Sequence, residues 1–144
     1  MHAQPYTCSI TVPVPITEAF AAIGHVADWW AKVFEGRAEA LDDVFTVRFG
    51  ETFVTFRITE IIPDQKAVWH VTNCFLPWLK DKTEWTGTEA IWKLAASPGG
   101  TRIDFTHAGL VPQVECYGVC VKGWDQHIKD SLYKLLTTGK GSPT

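Results

Sequence analysis

Between Arg37 and Leu110 apolar and polar positions alternate with a period of two; beyond Glu115 they recur with a helical period. The first regime predicts strands and the second a helix. Residues 6–12 alternate as well and end at Pro13, which predicts a first strand. Thr17 is placed to cap a short helix over 18–24, with Ala19, Phe20 and Ile23 inward, and a second short turn carries Asp28, Trp29 and Trp30. Strands are then expected at 36–40, 43–49, 52–62, 66–73, 88–96 and 101–110, with turns at Gly50-Glu51, Pro63-Asp64 and Ser97-Pro98-Gly99-Gly100. Alternation assigns Phe45, Val47 and Phe49 inward, then Val54, Phe56, Ile58, Glu60 and Ile62. Trp69, Val71 and Asn73 follow, then Ala90, Trp92 and Leu94, and last Ile103, Phe105 and His107.

Residues 115–138 form one amphipathic helix. Tyr117, Val121, Trp124, Ile128, Ser131, Leu132 and Leu135 share a face. On the other side, Asp125 with Lys129 and Asp130 with Lys134 are acid-before-base pairs four apart. Gly139 and Pro143 suit the end of the helix. At 1.5 Å per residue it spans about 30 Å, the width of a small domain. The fold class is α+β: a curved antiparallel sheet of six to seven strands, two short helices after the first strand, and the long helix closing a cavity against the sheet.

A length of 144 residues fits a single domain over 1–144 with a substantial core. The chain has seven Trp and eight Phe, an excess that lines cores and apolar pockets alike. Net charge is −3 without a basic run, which argues against a nucleic-acid partner. No apolar run approaches the ~18 residues of a membrane span, and residues 1–6 show no signal peptide, so a cytoplasmic location is expected. The four cysteines, Cys8, Cys74, Cys116 and Cys120, are then expected as free, small apolar residues. Cys116 and Cys120 are four apart, but no second pair completes a metal site, and no glycine-rich phosphate loop calls for a cofactor.

Several phrases resemble one family: Trp29-Trp30 after the first helix, Phe105-Thr106-His107-Ala108-Gly109-Leu110, Gly123-Trp124, Ser131-Leu132 and Thr138-Gly139-Lys140-Gly141. In order and spacing they are similar to the activator-of-heat-shock-protein-ATPase-homologue-like family of the START-like superfamily, which includes the birch-pollen allergen and polyketide-cyclase domains. The resemblance covers essentially the whole chain. It implies a helix-grip fold with an internal cavity and leaves the function open, because members bind, transport or transform varied apolar molecules.

The function expected is binding of a small, mostly apolar ligand between sheet and helix. Trp29, Trp69, Trp78, Trp85, Trp92, Phe105, His107, Tyr117, Cys120 and Trp124 are its candidate walls. Trp29, Trp78 and Trp85 are placed at the mouth, the last two on a connection, 74–87, that reads either as a lid or as a pinned loop. His107 is the best-placed polar group, able to bond a ligand, to act as a base, or simply to bond a core group. His127 reads as a solvated edge position. No nucleophilic triad appears, so no catalytic residue is assigned. The alternatives are a cyclase- or hydrolase-type enzyme using His107 or Glu60, and a protein-interaction or co-chaperone-like module.

Overall fold

The computed structural model describes residues 4–144. Strands β1 (Tyr6–Val12), β2 (Val33–Gly36), β3 (Val44–Phe49), β4 (Thr52–Ile62), β5 (Lys66–Phe75), β6 (Glu89–Ser97) and β7 (Gly100–Ala108) form one sheet. Its order is β1-β7-β6-β5-β4-β3-β2, with every neighbouring pair antiparallel. Helices α1 (Ile16–Gly24) and α2 (Val26–Trp29) follow β1. At the C-terminus α3 (Tyr117–Trp124), a π-helical segment (Asp125–Leu132) and α4 (Tyr133–Thr138) run on without a break. This is the helix-grip architecture. Among the described residues no helix is long and apolar enough to cross a membrane.

The expected strands formed where alternation was strict. β1 buries Tyr6, Cys8, Ile10 and Val12 and exposes the residues between them. The shortest strand lies earlier than expected, at Val33–Gly36 rather than 36–40. Residues 39 and 40 instead form a turn whose amides donate to the Asp43 carboxylate. Helix α1 starts at Ile16 behind Pro15, and the Thr17 hydroxyl donates to Asp64 rather than capping.

Two irregularities bend the sheet and change faces. Between β4 and β5 the register jumps from Ile58↔Trp69 to Glu60↔Val68, and from Thr55↔Asn73 to Phe56↔Val71. Each jump inserts one extra residue, Thr59 on β4 and Thr72 on β5, and an inserted residue reverses the alternation beyond it. Glu60 therefore does not point into a cavity. It is partly exposed and pairs with Lys66 at 3.1 Å. Ile61 packs on the core in place of Ile62, and Cys74 is buried in place of the exposed Asn73.

The long helix lies across the concave face. Its deepest residues are Cys116, Cys120, Trp124, Ile128, Leu132 and Leu136, every fourth position, with Ser131 beside them. The expected stripe members Tyr117, Val121 and Leu135 flank it, half-buried. An α-helix has 3.6 residues per turn, so each four-residue step would rotate the stripe by about 40°. The wider π turn, with the Tyr133 amide reaching the Ile128 carbonyl, absorbs that drift and keeps the stripe on the sheet. Both expected ion pairs formed, Lys129–Asp125 at 3.3 Å and Lys134–Asp130 at 3.1 Å.

After Gly139, which takes a left-handed φ of 87°, the chain folds back over α2. A Cβ on Gly141 would sit 2.5 Å from the Asp28 carbonyl, so only glycine passes there. Ser131 fixes the crossing: its hydroxyl donates to the Trp29 carbonyl at 2.6 Å and accepts the Ser142 amide at 2.7 Å. The Thr144 amide then donates to the Trp30 carbonyl at 3.0 Å. The tail thereby pins the Trp29-Trp30 segment against the sheet.

Candidate functional site

The interior divides into a packed part and an open part. In the packed part Trp29, Trp69, Trp92 and Phe105 are fully buried, the other three grouped around Trp92. Trp92 sits 5.6 Å from Trp29, 5.3 Å from Trp69 and 4.5 Å from Phe105, ring centre to ring centre. These four expected cavity walls are therefore core. Trp29 is not at a mouth: its indole N–H donates to the Ile23 carbonyl at 3.2 Å.

Trp30 closes the packed part. Its ring lies 4.9 Å from Trp124, 5.7 Å from Phe56 and 6.5 Å from Trp69. On its far side is a pocket of about 320 Å³. Strand β5 runs on past its last pairing with β6 at His70↔Glu89; Val71 still bonds Gly87 and Thr88, and the last residues of β5 pair with β4 alone. The connection from β5 to β6 folds over this end of the pocket. One wall is Phe49, Thr52 and Val54 from the β3–β4 hairpin; the facing wall is Val119, Cys120, Gly123, Trp124 and His127 from the helix. Leu76, Trp78 and Trp85 come from the connection above. Of the ten expected wall residues the pocket thus gathers Trp78, Trp85, Cys120 and Trp124. Tyr117 packs half-buried against the core cluster outside it.

The connection is a latched cover. Leu76, Leu79 and Trp85 are buried, while Trp78 is 47% exposed at the rim and faces Val119, 63% exposed, across the opening. The Glu84 carboxylate accepts the Glu115 amide at 2.8 Å and the Cys116 amide at 3.1 Å. Glu115 in return accepts the Lys80 amide at 2.9 Å. These bonds satisfy donors that a helix start leaves orphaned and place negative charge at its positive end. Glu84→Ala is expected to cost about 1–2 kcal/mol, as for loss of a helix cap, and to speed hydrogen exchange of the Cys116 amide selectively. Unchanged exchange there would show that the latch does not hold the cover.

His107 is buried at 1% exposure, but it does not face the pocket. The Trp124 indole N–H donates to its Nδ1 at 3.0 Å. The opposite nitrogen, Nε2, then carries the proton and donates to Thr88 Oγ1 at 2.9 Å; Thr88 donates onward to the Trp85 carbonyl at 2.6 Å. Both nitrogens are satisfied. Burial pushes the imidazole pKa down to about 3, so it stays neutral. His107 joins cover, sheet and helix, and it has no free valence for a ligand or for proton transfer.

The titratable side chain of the pocket is His127. Its ring stacks 6.3 Å from Phe49 and lies 6.3 Å from Trp30. Its Nδ1 is buried and has no hydrogen-bond partner among the described residues. Burial lowers its pKa, keeping the ring neutral. His127 falls in the π segment, whose wider turn carries it from the expected solvated edge into the pocket.

Cys116 and Cys120 are joined by a disulfide across one helical turn, where free thiols were expected. A four-residue step on a helix brings their Cα atoms to 5.6 Å, inside the span a disulfide bridges. Cys120 lines the pocket, and Cys116 lies behind it, accepting the Trp85 indole N–H at 3.2 Å. Cys8 and Cys74 are free and buried. Among the described residues no three His, Cys, Asp or Glu side chains gather as metal ligands.

A further hollow of about 350 Å³ lies at the α1–α2 corner, lined by His25, Asp28, Arg37 and Glu39. Glu39 pairs there with His25 and Arg37 in the open, and among the described residues no buried, unpartnered side-chain nitrogen or oxygen belongs to its lining.

No protein-family model and no curated protein matches the chain. Solved structures do. The Aha1 dimer from Colwellia psychrerythraea shares 21% identity over 96% of this chain and 99% of that one, with a TM-score of 0.80. Protein SSP2350 from Staphylococcus saprophyticus shares 16% identity over 96% of each chain at 0.73. DynU16, a protein in the dynemicin biosynthetic locus, shares 17% identity over 94% of this chain and 48% of its own at 0.68. These likenesses bear out the resemblance at the level of the fold.

Proposed function

We propose that the chain binds a small, mostly apolar ligand carrying one hydrogen-bonding group, in the pocket between the cover and the π segment. One observation carries this reading. An aromatic-walled pocket of about 320 Å³ is lined by His127, whose buried Nδ1 has no hydrogen-bond partner among the described residues. The volume lies near the lower end of the usual range for ligand sites, about 300–1,000 Å³. Trp30, Phe49, Trp78, Trp85 and Trp124 give affinity through burial, at roughly 25 cal/mol per Å² before entropy costs. An unpaired buried nitrogen costs free energy that a ligand hydroxyl or carbonyl recovers. The enzymatic alternative loses its support, since His107 is saturated and Glu60 lies on a partly exposed rim.

The test uses two naphthalenes. 2-Naphthol is expected to bind near one to one and to quench tryptophan emission. His127→Phe is expected to weaken 2-naphthol about threefold to tenfold, the worth of one hydrogen bond, and to leave 2-methylnaphthalene nearly unchanged. Absence of saturable binding of either compound counts against the reading.

A further inference from the structure

The pocket wall holds one covalent bond that thiols can break, and its two sulfurs are unequal. Cys120 borders the pocket, while Cys116 is fully buried behind it, under Trp85. Resting on the pocket reading above, we propose that the Cys116–Cys120 disulfide is a capture site for apolar thiols that enter the pocket. The incoming thiolate attacks Cys120 Sγ and forms a new S–S bond. The Cys116–Cys120 bond breaks, and its electron pair leaves on Cys116 Sγ. The product is a mixed disulfide on Cys120 and a thiol at Cys116, with no net oxidation; the proton lost by the incoming thiol ends on Cys116 or in solvent.

Two features favour this direction. Thiol–disulfide exchange depends on which sulfur is reached and on how well the other one leaves. Of the two cysteines only Cys120 lines the pocket. The departing Cys116 sulfur is already an acceptor for the Trp85 N–H at 3.2 Å, a bond that strengthens as charge develops. Return attack by Cys116, held one helical turn away, expels the captured thiol, so capture is reversible. Cys8 and Cys74 lie outside the pocket lining and act as internal controls.

The experiment exposes the protein, purified without reductant, to benzyl mercaptan or to 2-mercaptoethanol, two thiols of similar acidity. Samples are acid-quenched and peptide-mapped by mass spectrometry. The adduct is expected on Cys120, with Cys116 free. Benzyl mercaptan should react about tenfold faster or more, as an apolar site discriminates, and saturating 2-naphthol should slow it. Trp85→Phe should slow both thiols by a common factor of about three to ten, because the lost N–H acts on the leaving sulfur. An adduct on Cys116, equal rates for the two thiols, or free Cys116 and Cys120 in the untreated protein overturns the proposal. Saturable 2-naphthol binding without any adduct overturns capture alone and leaves the pocket reading standing.

Discussion

Trp124→Ala is expected to destabilise the protein by about 3–5 kcal/mol, the range for emptying a buried aromatic site. Trp124 is 2% exposed and central to the interior. Its ring lies 4.5 Å from Phe105, 4.9 Å from Trp30 and 5.9 Å from Trp85, so it joins the packed core to the cover. It also donates the bond that satisfies His107 Nδ1, and truncation leaves that buried acceptor unpaired, worth about 1–3 kcal/mol by itself. Because one side of the ring already borders the pocket, the new cavity merges with existing space. The total therefore stays within that range rather than above it. Trp124→Phe separates the two contributions in large part, keeping most of the buried area while losing the hydrogen bond to His107. A urea melt is the measurement, and a loss under about 1 kcal/mol for the alanine variant would show that the helix does not depend on this contact.

How much of this was legible in the sequence can be traced to particular residues. Strict alternation located β1, β3, β4, β6 and β7, because a sheet with one buried face enforces a period of two. It failed just beyond Thr59 and Thr72, where one inserted residue reverses the sides and carries no local signature. Glu60 and Asn73 were placed inward for that reason. The long helix was legible, but its π segment was not, although a signal was present. Cys116, Cys120, Trp124, Ile128, Leu132 and Leu136 recur every four residues, longer than an α-helical turn. Reading that spacing would have moved His127 from the edge toward the sheet. A cavity between sheet and helix was expected, yet four of the aromatics expected to surround it, Trp29, Trp69, Trp92 and Phe105, fill space instead. Composition cannot tell a wall from a core, since both need large apolar side chains. What separates them here is Trp30, held in place by a tail whose contacts are long-range in sequence.

Acid is expected to destabilise the fold well before its carboxylates titrate, and His107 supplies most of the effect. Burial holds its pKa at about 3 in the folded chain against an ordinary 6.5. Above pH 6.5 neither state binds the proton, and the full stability is present. Below it the unfolded chain binds a proton that the native imidazole refuses, so stability falls by about 1.4 kcal/mol per pH unit. The loss continues until pH 3 and amounts to something on the order of 5 kcal/mol, a large share of the ~5–15 kcal/mol typical of a domain. His127, its pKa also lowered by burial, adds in the same direction. The carboxylates act later. Asp43 is held low by the Ala40 and Glu39 amides. In Asp104 burial pushes upward, and the bonds from Ser9 and Arg102 outweigh it. Both lose their contribution only as pH falls through and below the ordinary carboxylate range, near 4. Between pH 6.5 and about 4.5 the slope therefore belongs chiefly to buried histidine. Urea midpoints across this window should fall steeply for the native chain. His107→Phe should start lower at pH 7, with the Trp124 N–H left unpaired, and should show a clearly flatter slope. Parallel slopes for the two proteins would mean that His107 is protonated in the fold, and the chain from Trp124 through His107 and Thr88 to the Trp85 carbonyl would have to be redrawn with both ring nitrogens donating.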